Sequence, residues 1–153
     1  MRYLLLLTIA LTALLLACGG GDDNAADDLA KELGDICTQG DNVDDAVIRV
    51  DSPDPGDDIS SPLTVKGEID AFQQQFWVSV VKADGQHVID YPARSRDLEE
   101  GKLSPFEVSV PFSSGEESAA CLWVYRRNVE NPDDAVRIPV LLQSTDSPAA
   151  ADE

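Results

Sequence analysis

Apolar and polar residues alternate along the chain from Val47 onward, and turn residues interrupt the alternation about every ten to fifteen residues. A period of two is typical of strands that bury one face, and short strands at this spacing indicate an antiparallel sandwich with Greek-key connections. The pattern predicts about seven strands, at residues 46–50, 63–69, 75–83, 87–93, 106–112, 120–127 and 136–143. The sequence therefore predicts one all-β domain over residues 46–143.

The same alternation predicts which side chains face the core, because successive residues of a strand point to opposite faces of the sheet. The Asp84–Gly85 dipeptide favours positive φ and predicts a tight hairpin between the third and fourth strands. Three sets of apolar residues each share one face of their strand: Leu63, Val65 and Ile69; Phe76, Val78 and Val80; Phe106, Val108 and Val110.

The strand predicted at residues 120–127 carries apolar residues on both faces. If Ala120, Leu122 and Val124 face the core, then Cys121, Trp123 and Tyr125 share the outer face, where they would not ordinarily be left to water. Two interpretations follow. Either the amino-terminal segment folds over this face, with Cys37 joined to Cys121, or Trp123 and Tyr125 form a recognition stripe for a partner. The inverse assignment, with the aromatic side chains inside the sandwich, stays open as well.

The first eighteen residues have the features of an export signal: a basic start at Arg2, a long apolar run and small residues before Cys18. The run ends in Leu-Leu-Ala-Cys, the form of a bacterial lipobox, in which the cysteine is acylated and the peptide is cut just before it. A cut elsewhere or an uncleaved membrane anchor is the alternative, but the acidic, glycine-rich sequence that follows does not continue a membrane span. We predict a lipoprotein signal peptide at residues 1–17 and lipidation at Cys18.

A polar segment joins Cys18 to the first strand. Residues 19–28 are too polar to bury and predict a flexible acidic spacer. Leu29, Leu33 and Ile36 follow at helical spacing and indicate a short helix or turn, which would pin the spacer onto the domain through Cys37. Residues 18–45 are thus predicted to hold the lipidated cysteine, the linker and this short helix, and residues 144–153 a disordered tail.

Two cysteines remain beside Cys18. In an exported chain an even pair favours a disulfide, here between Cys37 and Cys121. Sequence alone does not show that the two Cα atoms come within bridging distance, so two buried free thiols are the alternative.

The charge of the chain excludes several partners. The formal net charge is -18, and removing residues 1–17 takes away Arg2 and gives about -19. Such a surface repels nucleic acid phosphates and anionic head groups, so we expect no nucleic acid partner and membrane contact only through the lipid anchor.

The location of the protein follows from the predicted signal peptide: it is expected to be extracytoplasmic, on a bacterial membrane. In a Gram-negative cell it would be the outer membrane facing the periplasm, because Gly19 rather than aspartate follows Cys18.

Four stretches then occur in order over about residues 47–142: IRVDSPDPGDDISSPLTVKGEIDAF, FWVSVVKADGQHV, SPFEVSVPF and VRIPVLL. Together they resemble the immunoglobulin-like domain of bacterial spore germination proteins, a family met in bacterial lipoproteins. The resemblance implies an immunoglobulin-like antiparallel sandwich that acts in envelope interactions, without catalytic residues.

Patterns typical of enzymes are missing from the sequence. His87 is the one histidine, and neither a GxSxG elbow, a glycine-rich phosphate loop nor an HExxH pair is present. A thiol–imidazole pair of Cys121 and His87 can be drawn, but a strand cysteine with a disulfide partner favours a structural role. We predict that the protein is not an enzyme and has no cofactor.

Calcium is the one metal that the sequence suggests. Asp54, Asp57 and Asp58 lie in one turn, and calcium prefers oxygen ligands. The EF-hand spacing counted from Asp51 fails, however, because its third and fifth positions are prolines.

From the fold, the resemblance and the missing enzyme patterns, we predict a noncatalytic module of the cell envelope that binds a protein or a glycan or acts as a scaffold. The alternatives are a calcium-dependent adhesion module and a protease-inhibitor-like sandwich.

Overall fold

The computed structural model describes residues 23–39, 48–70, 75–95, 102–126 and 135–145. Within them, one helix, α1 (Asp23–Leu33), and a 3₁₀ turn (Gly34–Ile36) precede eight strands. The strands are β1 (Ile48–Ser52), β2 (Asp58–Ile59), β3 (Leu63–Asp70), β4 (Gln75–Lys82), β5 (His87–Arg94), β6 (Leu103–Val110), β7 (Ser118–Tyr125) and β8 (Val136–Leu142). The predicted signal peptide at residues 1–17, Cys18 and most of the predicted tail lie outside the described residues.

The strands form two sheets, which confirms the predicted all-β sandwich. One sheet has the order β1-β3-β6 and the other the order β2-β8-β7-β4-β5. The seven predicted strands are all present, with ends that differ by a few residues. Each of the two sheets is built mainly from antiparallel neighbours.

Strand β2 was not predicted, and it adds one short parallel pair to the otherwise antiparallel sandwich. Asp58 and Ile59 pair in parallel with Leu141 and Leu142 of β8. The chain leaves the three-stranded sheet after β1, crosses to β8 and then returns as β3. The backbone of Asp57 is part of this crossing, because its carbonyl oxygen accepts a hydrogen bond of 2.9 Å from the N–H of Leu141.

The predicted core faces are confirmed. The three sets on β3, β4 and β6 lie in the core between the sheets, where Val108 is half-buried and the others are buried. Ala120, Leu122 and Val124 of β7 belong to the same core. The inverse assignment of β7, with the aromatic side chains inside the sandwich, is therefore wrong.

A second apolar cluster covers the outer face of the five-stranded sheet. The amino-terminal segment supplies Leu33 and Cys37, with Leu29 and Ile36 half-buried beside them, and the sheet supplies Val81, Ala119, Cys121, Trp123, Tyr125 and, next to β8, Ala135. Trp123 is 2% exposed and Tyr125 is 0% exposed. The prediction of a recognition stripe formed by these two residues is therefore wrong, because the amino-terminal segment already occupies that face.

The amino-terminal segment is more ordered than the predicted spacer. Helix α1 begins at Asp23, so residues 23–28 are helical. In the described part of the chain, a membrane-spanning helix is not found: α1 has 11 residues and is rich in polar side chains.

The predicted hairpin joins β4 to β5. Gly85 has a φ of 83°, and its N–H donates to the carbonyl oxygen of Lys82 at 2.9 Å. The carboxylate of Asp84 accepts the N–H of Gln86 at 2.9 Å. Glycine tolerates this left-handed backbone and aspartate closes the turn, as the dipeptide predicted.

Candidate functional site

The segment of residues 29–39, called the clasp below, lies on the outer face of β7 and β8. Leu29, Leu33 and Ile36 share one side of the segment because three- and four-residue spacing places side chains on one helix face. That side packs against the sheet residues of the second cluster. The clasp is therefore an integral layer of the folded domain.

A disulfide between Cys37 and Cys121 fastens the clasp to β7, as predicted. The two Cα atoms are 5.4 Å apart and the residues are 84 positions apart in sequence. Closing a loop of that length restricts the unfolded chain and contributes about 2 to 5 kcal/mol to stability. Because its sulfur is bonded to Cys37, Cys121 has no thiol with which His87 could form a catalytic pair.

Trp123 and Arg137 hold the clasp by polar contacts. The indole N–H of Trp123 donates to the carbonyl oxygen of Ile36 at 3.0 Å. The Arg137 guanidinium lies 4.8 Å from the centre of the Trp123 ring and donates to the carbonyl oxygen of Thr38 at 2.6 Å. A cation over the face of an indole adds an attraction to these hydrogen bonds.

Gln39 completes the attachment at the end of the clasp. Its amide nitrogen donates to the carbonyl oxygen of Arg137 at 3.1 Å, and its amide oxygen accepts the N–H of the same residue at 3.3 Å. The side-chain amide of Gln39 thus makes with Arg137 of β8 the two hydrogen bonds that the backbone of a neighbouring strand would make. Nothing in the sequence pattern set Arg137 or Gln39 apart from exposed polar residues, since their contacts depend on the tertiary fold.

A polar network lies next to the clasp on the same face of the sheet. The Ser79 hydroxyl donates to the carboxylate of Asp90 and is 3.0 Å from the Tyr125 hydroxyl. His87 Nδ1 is 2.8 Å from the same Asp90 oxygen, and the His87 ring meets the Trp123 ring edge-on with centroids 5.6 Å apart. The network joins β4, β5 and β7 to one another.

The network shifts two pKa values. Burial alone would raise the pKa of the Asp90 carboxyl, but hydrogen bonds from Ser79 and His87 and the charge of His87 together lower it below its ordinary value. Burial raises the pKa of the Tyr125 phenol; the hydrogen bond with Ser79 opposes this and the charge of Asp90 adds to it. Asp90 is therefore held as a carboxylate and Tyr125 as a neutral phenol.

This arrangement of Ser79, His87 and Asp90 is not that of a nucleophilic triad. In a triad the histidine lies between the serine and the acid and takes the proton of the hydroxyl. Here the carboxylate of Asp90 lies between Ser79 and His87, and Ser79 is fully buried. The geometry supports a structural tie between strands.

The predicted calcium ligands lie in and beside the turn between β1 and β2. The carboxylate of Asp57 accepts the backbone N–H of Asp54 at 2.9 Å, and the Asp57 N–H donates to the carbonyl oxygen of Asp54 at 3.1 Å. Asp58 belongs to β2. The part of the chain that the structure describes contains no group of three or more His, Cys, Asp or Glu residues placed to hold a metal ion. The structure thus gives Asp57 a role in closing the turn.

The outer face of the three-stranded sheet presents exposed, paired charges. Arg49 contacts Glu68 at 2.9 Å and Asp51 at 3.1 Å, and Lys66 contacts Glu107 at 3.4 Å. The side chains of Arg49, Lys66 and Glu107 are 55%, 52% and 61% exposed. The two positive and three negative side chains of these ion pairs have a summed formal charge of 2 − 3 = −1, in a chain of charge -18.

Comparison with known proteins places this fold in a family. A search of curated proteins finds no match to the chain. Residues 47–131, more than half of the chain, match the family described as the immunoglobulin-like domain of bacterial spore germination. The match covers β1 to β7 and ends before β8, and the clasp precedes it. With a two-sheet sandwich whose strands follow the matched motifs, the chain belongs to the family of the immunoglobulin-like domain of bacterial spore germination.

Proposed function

We propose that this protein is a lipid-anchored, extracytoplasmic module that binds a protein or a glycan of the cell envelope and catalyses no reaction. The disulfide between Cys37 and Cys121 is the observation that carries this proposal. Disulfides persist in oxidising compartments outside the cytoplasm. Helix α1, which leads into the bridged segment, also begins five residues after Cys18, the last residue of the predicted lipobox.

The chemistry of the described side chains supports a binding role. Cys121 is consumed by the disulfide, and Ser79 and His87 both contact Asp90 inside the strand network. A mechanism that used these residues would need a free thiol at Cys121, or the Ser79 hydroxyl next to the His87 ring instead of next to the Asp90 carboxylate. An immunoglobulin-like sandwich instead offers flat faces and strand edges for recognition.

The outer face of the three-stranded sheet is our proposed binding surface. The clasp covers the outer face of the other sheet, whereas Arg49 and Lys66 are exposed here beside their acidic neighbours. Exposed ion pairs contribute only about 0 to 1 kcal/mol, so a partner can exchange them at little cost. Because two basic side chains, Arg49 and Lys66, are exposed here, this face repels an acidic partner less than the chain as a whole does.

Affinity capture from an envelope extract tests this surface. The bait is a soluble chain of residues 19–153, so that α1 stays complete, and the variant is Lys66→Glu. Lys31→Glu on exposed α1 is the matched control, because it changes the net charge equally on a different face. We expect Lys66→Glu to lose the captured partner and Lys31→Glu to retain it; equal recovery with both would contradict the proposed surface.

The lipid anchor is tested separately in cells. We expect Cys18→Ala to move the full-length protein from the membrane fraction to the soluble or precursor fraction and to abolish incorporation of labelled fatty acid. Fatty acid incorporation that persists in Cys18→Ala would contradict lipidation at Cys18.

A further inference from the structure

The clasp changes the point at which the lipid anchor joins the folded body; this inference rests on the proposed lipidation of Cys18. From Cys18 to Ile48, the start of β1, the chain advances 48 − 18 = 30 residues, which span up to about 100 Å when extended. From Cys18 to Asp23, the start of α1, it advances 23 − 18 = 5 residues. Five residues span at most about 17 Å in any conformation.

The anchor joins the folded body at Asp23 rather than at Ile48 only if the clasp stays on the sheet. The Cys37–Cys121 disulfide is covalent, and its two residues are 8% and 0% exposed. Leu33, also buried, packs in the same cluster, and Trp123 donates to the carbonyl oxygen of Ile36. Detaching the clasp would require breaking a bond that is stable in an oxidising compartment. Helix α1, which the clasp fastens to the sheet, is therefore the part of the folded body that the anchor reaches first.

The start of α1 lies beside one particular edge of the five-stranded sheet. The backbone nitrogen of Ala26 would lie 3.3 Å from a Cβ placed on Gly56. The Gly56 N–H in turn donates to the carbonyl oxygen of Pro139 on β8 at 2.8 Å. This is the β2–β8 edge, and β5 is at the opposite edge. Four strand spacings, about 19 Å, separate β2 from β5.

We propose that α1 and the clasp hold the β2–β8 edge of the sandwich on the side of the bilayer that carries the anchor, with Asp23 at most about 17 Å from Cys18, and turn β5 away from it. The lipid surface does not attract this domain, because the chain carries a formal charge of -18 and anionic head groups repel it. The domain stays near the bilayer because the chain between Cys18 and α1 is short. Residues 40–47, which follow the clasp, then have no influence on the distance between domain and membrane.

Two matched insertions test this arrangement in the full lipidated chain. Ten glycine and serine residues are inserted either before α1, between Gly20 and Gly21, or after the clasp, between Asn42 and Val43. A donor fluorophore is attached at Ser60, one residue after β2, through a noncanonical amino acid, and the protein is placed in phosphatidylcholine vesicles that contain an acceptor-labelled lipid. Energy transfer from donor to acceptor reports the distance between the domain and the bilayer.

We expect the insertion before α1 to lower energy transfer and the insertion after the clasp to leave it unchanged. If both insertions lower it equally, the segment is a flexible linker and the inference is overturned; if neither lowers it, the tether does not set the distance and the inference is also overturned. In the chain without insertion, a donor at Arg94 of β5 should give weaker transfer than the donor at Ser60. Equal transfer from the two positions would overturn the assigned orientation.

Mass spectrometry of the amino-terminal peptide separates this inference from the proposed function. An unmodified Cys18 would overturn both. A lipidated Cys18 together with equal effects of the two insertions would overturn the inference alone.

Discussion

Trp123 of β7 donates its indole N–H to the carbonyl oxygen of Ile36 at 3.0 Å, across 87 residues of sequence. The bond joins the outer face of the five-stranded sheet to the segment that follows α1. It explains how β7 can carry apolar side chains on both faces. Leu122 and its neighbours fill the sandwich, while Trp123 and Tyr125 are covered by the clasp.

Substitution of Trp123 tests whether it is a core residue or a binding residue. We expect Trp123→Ala to lower the free energy of unfolding by about 3 to 5 kcal/mol, because it leaves a cavity under the clasp. Trp123→Phe should cost less, since it keeps most of the packing and loses the hydrogen bond to Ile36. Denaturant unfolding measures both effects. Leu103→Ala is the control, because Leu103 is 38% exposed; a Trp123→Ala protein as stable as this control would contradict the buried role.

The alternation of apolar residues predicted most of the fold because it reflects burial of one strand face. Leu63, Val65 and Ile69 could be assigned to the core from sequence alone, since their neighbours Thr64 and Lys66 are polar. Strand β2 could not be predicted, because two residues that pair with a distant strand show no periodicity.

The sequence predicted that something covers the outer face of β7, but it left open whether this is the amino-terminal segment or a binding partner. An apolar outer face shows that something must cover it, but a sequence pattern does not say whether a partner or the same chain does so. The deciding contacts join residues about a hundred positions apart: Arg137 donates to the carbonyl oxygen of Thr38 across 99 positions. Such contacts follow from the tertiary fold, so a strand arginine could not be distinguished beforehand from a solvated one.

The Asp90 network predicts a specific dependence of stability on pH. The pKa of Asp90 is lower in the folded protein than its ordinary value, because the hydrogen bonds of Ser79 and His87 outweigh the opposing effect of burial. A carboxyl with a lowered folded pKa contributes stability that is complete above its unfolded pKa of about 4 and is lost as the pH falls through the folded pKa.

We therefore expect Asp90→Asn to flatten the decline of unfolding free energy as the pH falls below about 4, the unfolded pKa of a carboxyl. Denaturant titrations at a series of pH values measure this slope, and Asp27→Asn on α1 is the control for the loss of one charge. Superimposable acid profiles for the wild-type protein and Asp90→Asn would show that the network does not hold Asp90 as described.

Gly67 in the middle of β3 should not tolerate a side chain. A Cβ at this position would collide with the carbonyl oxygen of Arg49 on β1 and would lie 2.9 Å from the ring of Phe106. We expect Gly67→Ala to lower the free energy of unfolding by about 1 to 3 kcal/mol, because β1 must shift to make room. Thr64→Ala, at an exposed position of the same strand, is the control, and thermal unfolding that affects both variants equally would refute the close approach of β1.

Calcium should leave the domain unchanged. Asp57 already accepts the N–H of Asp54 within its turn, and the described residues offer no grouped set of metal ligands. We expect the same melting temperature in millimolar calcium and in chelator. A melting temperature that rises in calcium, and no longer rises in Asp58→Asn, would instead favour the calcium-dependent adhesion module.

Peptide mapping without reduction, on the protein purified from bacterial envelopes, determines whether the amino-terminal segment is bound covalently to the sandwich in an oxidising compartment. We expect one peptide pair joined through Cys37 and Cys121, together with an amino-terminal peptide that begins at acylated Cys18. Free thiols at Cys37 and Cys121 in freshly quenched samples would contradict both the clasp and the extracytoplasmic location.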